Sequence, residues 1–303
     1  MSAAPVGADR PGFRRPVTAD EVDAFWRDGV VCLRGILDPE LVLGLAGPID
    51  SIMDEPEMAD LTAMGDGLAQ AGEVVLTGAG AGGPDGGGRG RFVSGVDHWR
   101  LHEEFRAFAC DSALAAAVGA LLRTSEVHLW EDSVLVKEPG ARERTAWHQD
   151  LSYFPLTGAQ VCTTWVPLDP VTASTGAVQF VRGSHDWPEL FQPNLFVSTM
   201  AIPGTAGVAV PDIDALAAAG EVELIGFDTE PGDCTVHHAR TVHAAGPNTS
   251  ATTRRRAVSV RYTGDDVRVV ERAGVVHKAA HAALRAGDAL GPPECPTVWT
   301  ASV

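Results

Sequence analysis

Apolar residues recur at two different periods along the chain, and the switch between them divides it into a helical first part and a β-rich second part. Thr18 and Glu21 have the spacing of a capping box, and Val22, Phe25 and Trp26 then supply one apolar helical face that stops at Gly29. Val30 to Leu33 reads as a short strand. Asp38 and Pro39 open a second helix, whose apolar positions Leu41, Val42, Leu45, Ile49, Ile52 and Met53 keep helical spacing until Pro56. Helical spacing returns around Phe105 to Leu122. From Val127 onward the apolar runs are short or alternating and are punctuated by Pro and Gly: 134–136, 161–166, 177–181, 234–236 and 257–262. Short strands without long intervening helices predict an antiparallel sandwich or barrel. Helical excursions are expected near 212–219 and 275–284. The expected class is mainly β with flanking helices, and no internal repeat is visible.

Residues 1–16, with Pro5, Pro11, Pro16 and little apolar content, read as a flexible tail, and 17–303 as a single domain. The glycine-rich stretch 78–90 reads as a loop, either a mobile surface segment or a lid; no Lys-Ser or Lys-Thr follows it as in a phosphate-binding loop. A net charge of −17 argues against nucleic acid and against an anionic membrane surface. No uninterrupted apolar run has the length of a bilayer span, and the N-terminus does not resemble a signal peptide, so a cytoplasmic location is expected. The five cysteines are scattered and form no CxxC pair, which suggests neither a disulfide framework nor a cysteine zinc site.

The sharpest local feature is Trp147-His148-Gln149-Asp150, after a Pro139-Gly140 turn and a charged loop. On a strand, positions i and i+2 share a face, so His148 and Asp150 can offer an imidazole nitrogen and a carboxylate oxygen to one metal ion. Two histidines and one carboxylate on one face leave the other half of an octahedral ion open, as an Fe(II) oxygenase requires; a third ligand must come from elsewhere. Alone, the three-residue pattern also suits a histidine and an aspartate hydrogen-bonded within a loop. A second feature, Gly232-Asp233 through His237, His238, His243, Gly246 and Asn248, leads into Arg254-Arg255-Arg256 and the strand 257–262.

Taken in order, Trp-His-Gln-Asp, Val181-Arg182-Gly183-Ser184-His185, Gly-Asp with a histidine ten residues after the Asp, His-x-x-Gly-x-Asn and an arginine strand resemble the phytanoyl-CoA dioxygenase family of 2-oxoglutarate oxygenases. The likeness covers roughly residues 18–265. It implies a double-stranded β-helix, a jelly-roll or cupin-like barrel, with Fe(II) held by His148, Asp150 and His243. It also implies 2-oxoglutarate and O2 as co-substrates, with release of succinate and CO2 and hydroxylation or another oxidation of an unactivated C–H. An arginine should anchor the far carboxylate of 2-oxoglutarate, since a planar guanidinium grips a carboxylate bidentately and stays charged when buried. Counting eleven residues from His243 gives Arg254; aligning the Arg-x-Ala start of the strand gives Arg255, preferred because alternation ties it to Ala257, Ser259 and Arg261 on one face. Arg256 is then solvated or ion-paired.

His237 and His238 compete with His243 but read as structural, as does His185 in its turn motif; His98, His102, His128, His277 and His281 have no partner at ligand spacing. Tyr153 and Phe154 follow the HxD segment and are candidates to touch substrate. Thr163 and Trp165 alternate on the next strand and are candidates for 2-oxoglutarate, with core packing as the equal alternative. Lys137 either reaches the co-substrate or is a surface lysine. Ala244-Ala245 replaces the family's common Gly-Ser and removes a hydroxyl from the co-substrate site. Two rivals stand beside this reading: a cupin-like metalloenzyme not using 2-oxoglutarate, which would not need the arginine strand, and a metal-free binding protein on the same barrel. The substrate expected is a small molecule, acyl-CoA or a small secondary metabolite, lipid-like or amino-acid-derived molecule, and nothing indicates the oligomeric state.

Overall fold

Thr18 caps the first helix as its spacing predicts: its hydroxyl accepts from the Glu21 amide, and the Glu21 carboxylate accepts from the Thr18 amide at 2.8 Å. The computed structural model describes residues 12–78, 89–275 and 277–301. Contacts begin before Thr18, since Phe13 bridges Leu37 and Arg15 pairs with Glu21 at 2.6 Å. The rest of the expected tail, and most of the glycine-rich segment expected as a loop or lid, lie outside the described residues.

The helix α1 (Ala19–Asp28) ends at Gly29, whose φ of 78° is the left-handed conformation that glycine adopts without strain. The helix expected from Asp38 is two, α2 (Pro39–Leu43) and α3 (Ala46–Ile52), because Gly44, Gly47 and Pro48 weaken the run while Val42, Ile49 and Ile52 still reach the core. A fourth, α4 (Leu61–Gln70), escaped the sequence reading: Gly65 and Gly67 break up its apolar periodicity, and its start is set by Asp60, which accepts from the Ala63 amide. The stretch 105–122 also divides, into α5 (Glu103–Asp111) and α6 (Leu114–Leu122), and a last short helix, α7, spans Ile213–Ala218. Taken together, Glu103–Leu122 has the length and mean hydropathy of a membrane span, but charged residues interrupt it and most of it is buried inside the protein.

The strands are β1 (Val30–Leu33), β2 (Met58–Asp60), β3 (Phe92–Val96), β4 (Glu126–Lys137), β5 (Leu156–Thr157), β6 (Val161–Pro167), β7 (Val178–Val181), β8 (Leu224–Gly226), β9 (Cys234–His238), β10 (His243–Ala245), β11 (Arg255–Thr263), β12 (Arg268–Val269) and β13 (Thr297–Thr300). The large antiparallel sheet runs β1-β9-β6-β11-β4-β3-β2, with β13 also on β4; a smaller sheet runs β10-β7-β8, and β5 pairs with β12. Across the interior Phe180 of the small sheet meets His237 of the large one, with ring centroids 5.2 Å apart. This is the expected double-stranded β-helix, with α1, α2, α3, α5 and α6 on the outer face of the large sheet.

Strand alternation assigns the two faces of that sheet. Cys162, Val166, Cys234, Val236, Val258, Val260 and Tyr262 point outward into a core shared with α1, α3, α5 and α6. The alternate residues Thr163, Trp165, His237, Arg255, Ser259 and Arg261 point inward and line a cavity. The helix expected over 275–284 is instead a single 3-10 turn at Ala279–His281. Its side chains are drawn down onto the barrel: His281 stacks on Trp130 with centroids 4.1 Å apart, and Lys278 pairs with Asp97 at 2.7 Å and with Glu131.

Candidate metal centre

His148 and Asp150 do not lie on a regular strand. His148 forms a lone antiparallel bridge with His243, each amide donating to the other's carbonyl at 3.1 and 2.9 Å. Asp150 then begins a 3-10 turn, Asp150–Tyr153, whose Leu151 amide donates to the Ala239 carbonyl at 2.8 Å. The intervening Gln149 is an anchor: its amide nitrogen donates to the Arg240 carbonyl at 2.8 Å and its oxygen accepts from the Phe191 amide at 2.9 Å. The bridge and the anchor replace the strand pleat as the reason the two side chains share a side.

His148, Asp150 and His243 are all buried and each offers one ligand atom, the three lying within 4.8 Å of one another. Asp150 Oδ1 is 3.6 Å from His148 Nε2 and 3.7 Å from His243 Nε2. Each imidazole turns its Nδ1 to a main-chain carbonyl, His148 to Ala146 at 2.7 Å and His243 to Thr241 at 2.9 Å. Donation from Nδ1 leaves a lone pair on each Nε2, aimed at the shared point. Burial, reinforced by the neighbouring His148 and His237, holds His243 well below the usual histidine range, so it stays neutral. Burial would raise Asp150, but His243, His148, His237 and Arg261 outweigh it and keep the carboxyl well below the usual range. Two imidazoles and one carboxylate are the donor set of a 2-His-1-carboxylate iron site, so the residues present fit Fe(II).

The remaining candidates separate by position. Arg255 is buried at the head of β11, its guanidinium between the rings of Trp165 and Phe92, 5.7 and 6.0 Å from their centroids. It lines the same inner cavity as the three ligands, together with Thr145, Thr163, Trp165 and Ser259. Among the described residues no carboxylate pairs with it, and burial pushes its pKa down to about 10. Arg254 faces outward, pairing with Asp50 at 2.7 Å and Glu138 at 3.0 Å, which removes it from the cavity. Arg256 pairs with Asp169 at 2.8 Å. Lys137 is neither a surface lysine nor part of the cavity lining: it is fully buried, and its ammonium donates to the carbonyls of Glu143 at 2.8 Å and Gly246 at 2.5 Å.

Thr163 turns its hydroxyl onto Asp150 Oδ2 at 2.5 Å. Tyr153 and Phe154 border a larger cavity of about 330 Å³ that opens from the other side of His148 and Asp150. Leu135, Phe196 and Arg261 line both spaces, so they sit where the two join. His238 and His185 are structural, His238 accepting from the Arg240 amide at 3.0 Å and His185 meeting the Trp26 carbonyl at 3.1 Å. His237 is a different case, because its Nε2 lies 3.3 Å from Asp150 Oδ2. Neither His237 nor Arg261 was singled out as a site residue. The available signal was strand alternation, which puts both on the inward face.

The profile of the phytanoyl-CoA dioxygenase (PhyH) family matches residues 25–257. The chain belongs to the phytanoyl-CoA dioxygenase family. That match spans α1 through the start of β11 and therefore includes all three candidate ligands and Arg255. Similar curated proteins include the multifunctional dioxygenase prhA of Penicillium brasilianum, 23% identical over 269 residues that cover 86% of this chain and 77% of that protein. The multifunctional dioxygenase ausE of the same species is 26% identical over 151 residues, 48% of this chain and 44% of that protein, so the alignment spans under half of that relative's length. Among solved structures, the epimerase SnoN in complex with Fe3+, alpha ketoglutarate and nogalamycin RO superposes with a TM-score of 0.66 at 24% identity, over 92% of this chain and 98% of that one. This PhyH member therefore shares its fold with that solved enzyme.

Proposed function

We propose that this PhyH-family chain is an Fe(II)- and 2-oxoglutarate-dependent dioxygenase that oxidises an unactivated C–H of a small organic molecule. One observation carries the reading: a cavity that begins at two imidazoles and a carboxylate ends at a buried arginine with no acidic partner among the described residues. A metalloenzyme that did not bind a dicarboxylate there would bear the cost of that buried cation without return. Iron and 2-oxoglutarate, when bound, supply O2 activation coupled to oxidative decarboxylation of 2-oxoglutarate to succinate and CO2, with oxidation of the substrate C–H. His148, Asp150 and His243 would hold the metal. Arg255 would grip the distal carboxylate of 2-oxoglutarate through two parallel N–H donors, with Trp165 as the flat wall beside it. Thr145 is tied down, its hydroxyl accepting from the Ala245 amide at 2.5 Å.

The chain's part in the oxidation is to place the substrate and to exclude water. The 330 Å³ cavity beyond His148 lies at the lower end of the size range for small-molecule sites, roughly 300–1,000 Å³. Its walls are mainly apolar, with Trp130, Tyr153, Phe154 and Phe196 at its sides and Glu131, Arg261 and Lys278 as polar fixtures. Those walls support a compact substrate with an apolar body. The test is anaerobic addition of Fe(II) and then 2-oxoglutarate to the purified protein. A visible charge-transfer band is expected for the wild type and none for His148→Ala or Asp150→Ala. Retention of the band by both variants would refute the ligand assignment.

A further inference from the structure

Asp150 shows its two oxygens to different neighbours. Oδ1 faces Nε2 of His148 and of His243, whereas Oδ2 accepts from the Thr163 hydroxyl at 2.5 Å and lies 3.3 Å from His237 Nε2 and 3.9 Å from Arg261 Nε. The second group is set by strand register. His237 of β9 is opposite Thr163 of β6, Thr163 is opposite Arg261 of β11, and Arg261 is opposite Glu131 of β4, so one row across the large sheet delivers all three side chains to the same oxygen.

The histidines also divide by the nitrogen they use. His148 and His243 tie Nδ1 to main-chain carbonyls and leave Nε2 bare, but His237 has its Nδ1 buried without a partner and its Nε2 against a carboxylate. A carboxylate can only accept, so the His237 proton sits on Nε2 and the ring is a donor to Asp150 rather than a fourth ligand. Phe180 flanks the ring at 5.2 Å between centroids and limits its tilt.

We propose that His237 and Thr163 are positioning residues that hold Asp150 to metal ligation through Oδ1 alone, with Arg261 reinforcing the negative charge on Oδ2. The inference rests on the metal-site reading above. A carboxylate with both oxygens free can turn and chelate the ion, occupying a position that the co-substrate needs; engaging Oδ2 from two sides blocks that turn. The expected consequence lies in metal and co-substrate binding, not merely in stability.

The experiment uses the full chain with Co(II) as probe. Wild type, His237→Phe, His237→Gln, Thr163→Val and Thr163→Ser are checked for folding by circular dichroism. Co(II) affinity is then read by chelator competition, coordination by the visible absorption of the bound ion, and 2-oxoglutarate affinity by titration of the Co(II) form. His237→Phe and Thr163→Val are expected to weaken Co(II) binding about 10- to 100-fold and to change the absorption. His237→Gln and Thr163→Ser, which keep a donor, are expected to restore both. If His237→Phe does not fold, the near-isosteric Thr163→Val decides. Absence of stoichiometric Co(II) in the wild type would overturn the metal site itself. Unchanged absorption, Co(II) affinity and 2-oxoglutarate affinity in the folded donor-deleted variants would overturn the positioning role alone.

Discussion

Replacing Arg255 by methionine should make the ligand-free protein more stable while removing its response to 2-oxoglutarate. Arg255 is 1% exposed, and the carboxylate that raises its pKa, Asp169, is already committed to Arg256 at 2.8 Å. Burial depresses its pKa from 12.5 to about 10, and at roughly 1.4 kcal/mol per unit the charged form is penalised by about 3–4 kcal/mol. For a cation with a depressed folded-state pKa, that penalty is constant at every pH below about 10, where arginine is protonated in both folded and unfolded chains, and recedes only above it. Methionine removes the penalty but also the stacking on Trp165 and Phe92, roughly 0.5–2 kcal/mol, leaving a net gain of about 1–3 kcal/mol. In a protein of this size that is a rise in Tm of several degrees, at about 2–4 °C per kcal/mol. In the wild type, 2-oxoglutarate at about 100 times its Kd should add roughly 2.7 kcal/mol. The variant should lose that, because deleting one partner of a buried charge pair costs about 2–5 kcal/mol of binding. Thermal unfolding of the Mn(II)-loaded and metal-free proteins, with and without 2-oxoglutarate, measures both halves. An Arg255→Met protein that is less stable than wild type without ligand, yet is stabilised equally by 2-oxoglutarate, would refute the reasoning.

Asp132 offers a pH test away from the centre: burial raises its carboxyl to about 7, so the folded chain holds the proton that the unfolded chain releases near pH 4, and stability should fall between about pH 4 and 7 and level off above. Asp132→Asn should flatten that fall and be the more stable protein at pH 8 in urea unfolding; an unchanged slope would refute the assignment. Gly119→Ala should destabilise by about 1–3 kcal/mol, since the added methyl would sit 2.4 Å from the Trp299 ring; equal or higher Tm would contradict the packing of β13 on α6. Free Co(II) at about 100 times its Kd should raise the unfolding free energy by roughly 2.7 kcal/mol in the wild type and leave His243→Ala unmoved, as scanning calorimetry would show.

The elements legible in the sequence were those whose signal is local. Thr18, Glu21 and Gly29 bound α1, and β1 is Val30–Leu33 as its four apolar residues predict, because capping and apolar runs act within a few positions. Where the decisive partner is distant, the pattern misled or said nothing. The segment 275–284 has helical composition but is spent reaching Trp130, Asp97 and Glu131. Glycines hid α4, although Asp60 caps it. The three candidate ligands were readable because their order and spacing carry a family's signature, yet the strand geometry first invoked for His148 and Asp150 is absent; a bridge to His243 and the Gln149 anchor perform that task. Choosing Arg255 over Arg254 required only alternation, since a residue that shares a face with Ser259 and Arg261 must point inward when those do. The same alternation, applied to β9, already separates His237 from His238. One faces the centre and the other the α1 side, where His238 meets Phe25 and Trp26, with ring centroids 6.3 and 6.1 Å away. What alternation cannot supply is the register between β9, β6 and β11. That register is the long-range fact that turns an inward histidine, a threonine and an arginine into three neighbours of one carboxylate oxygen.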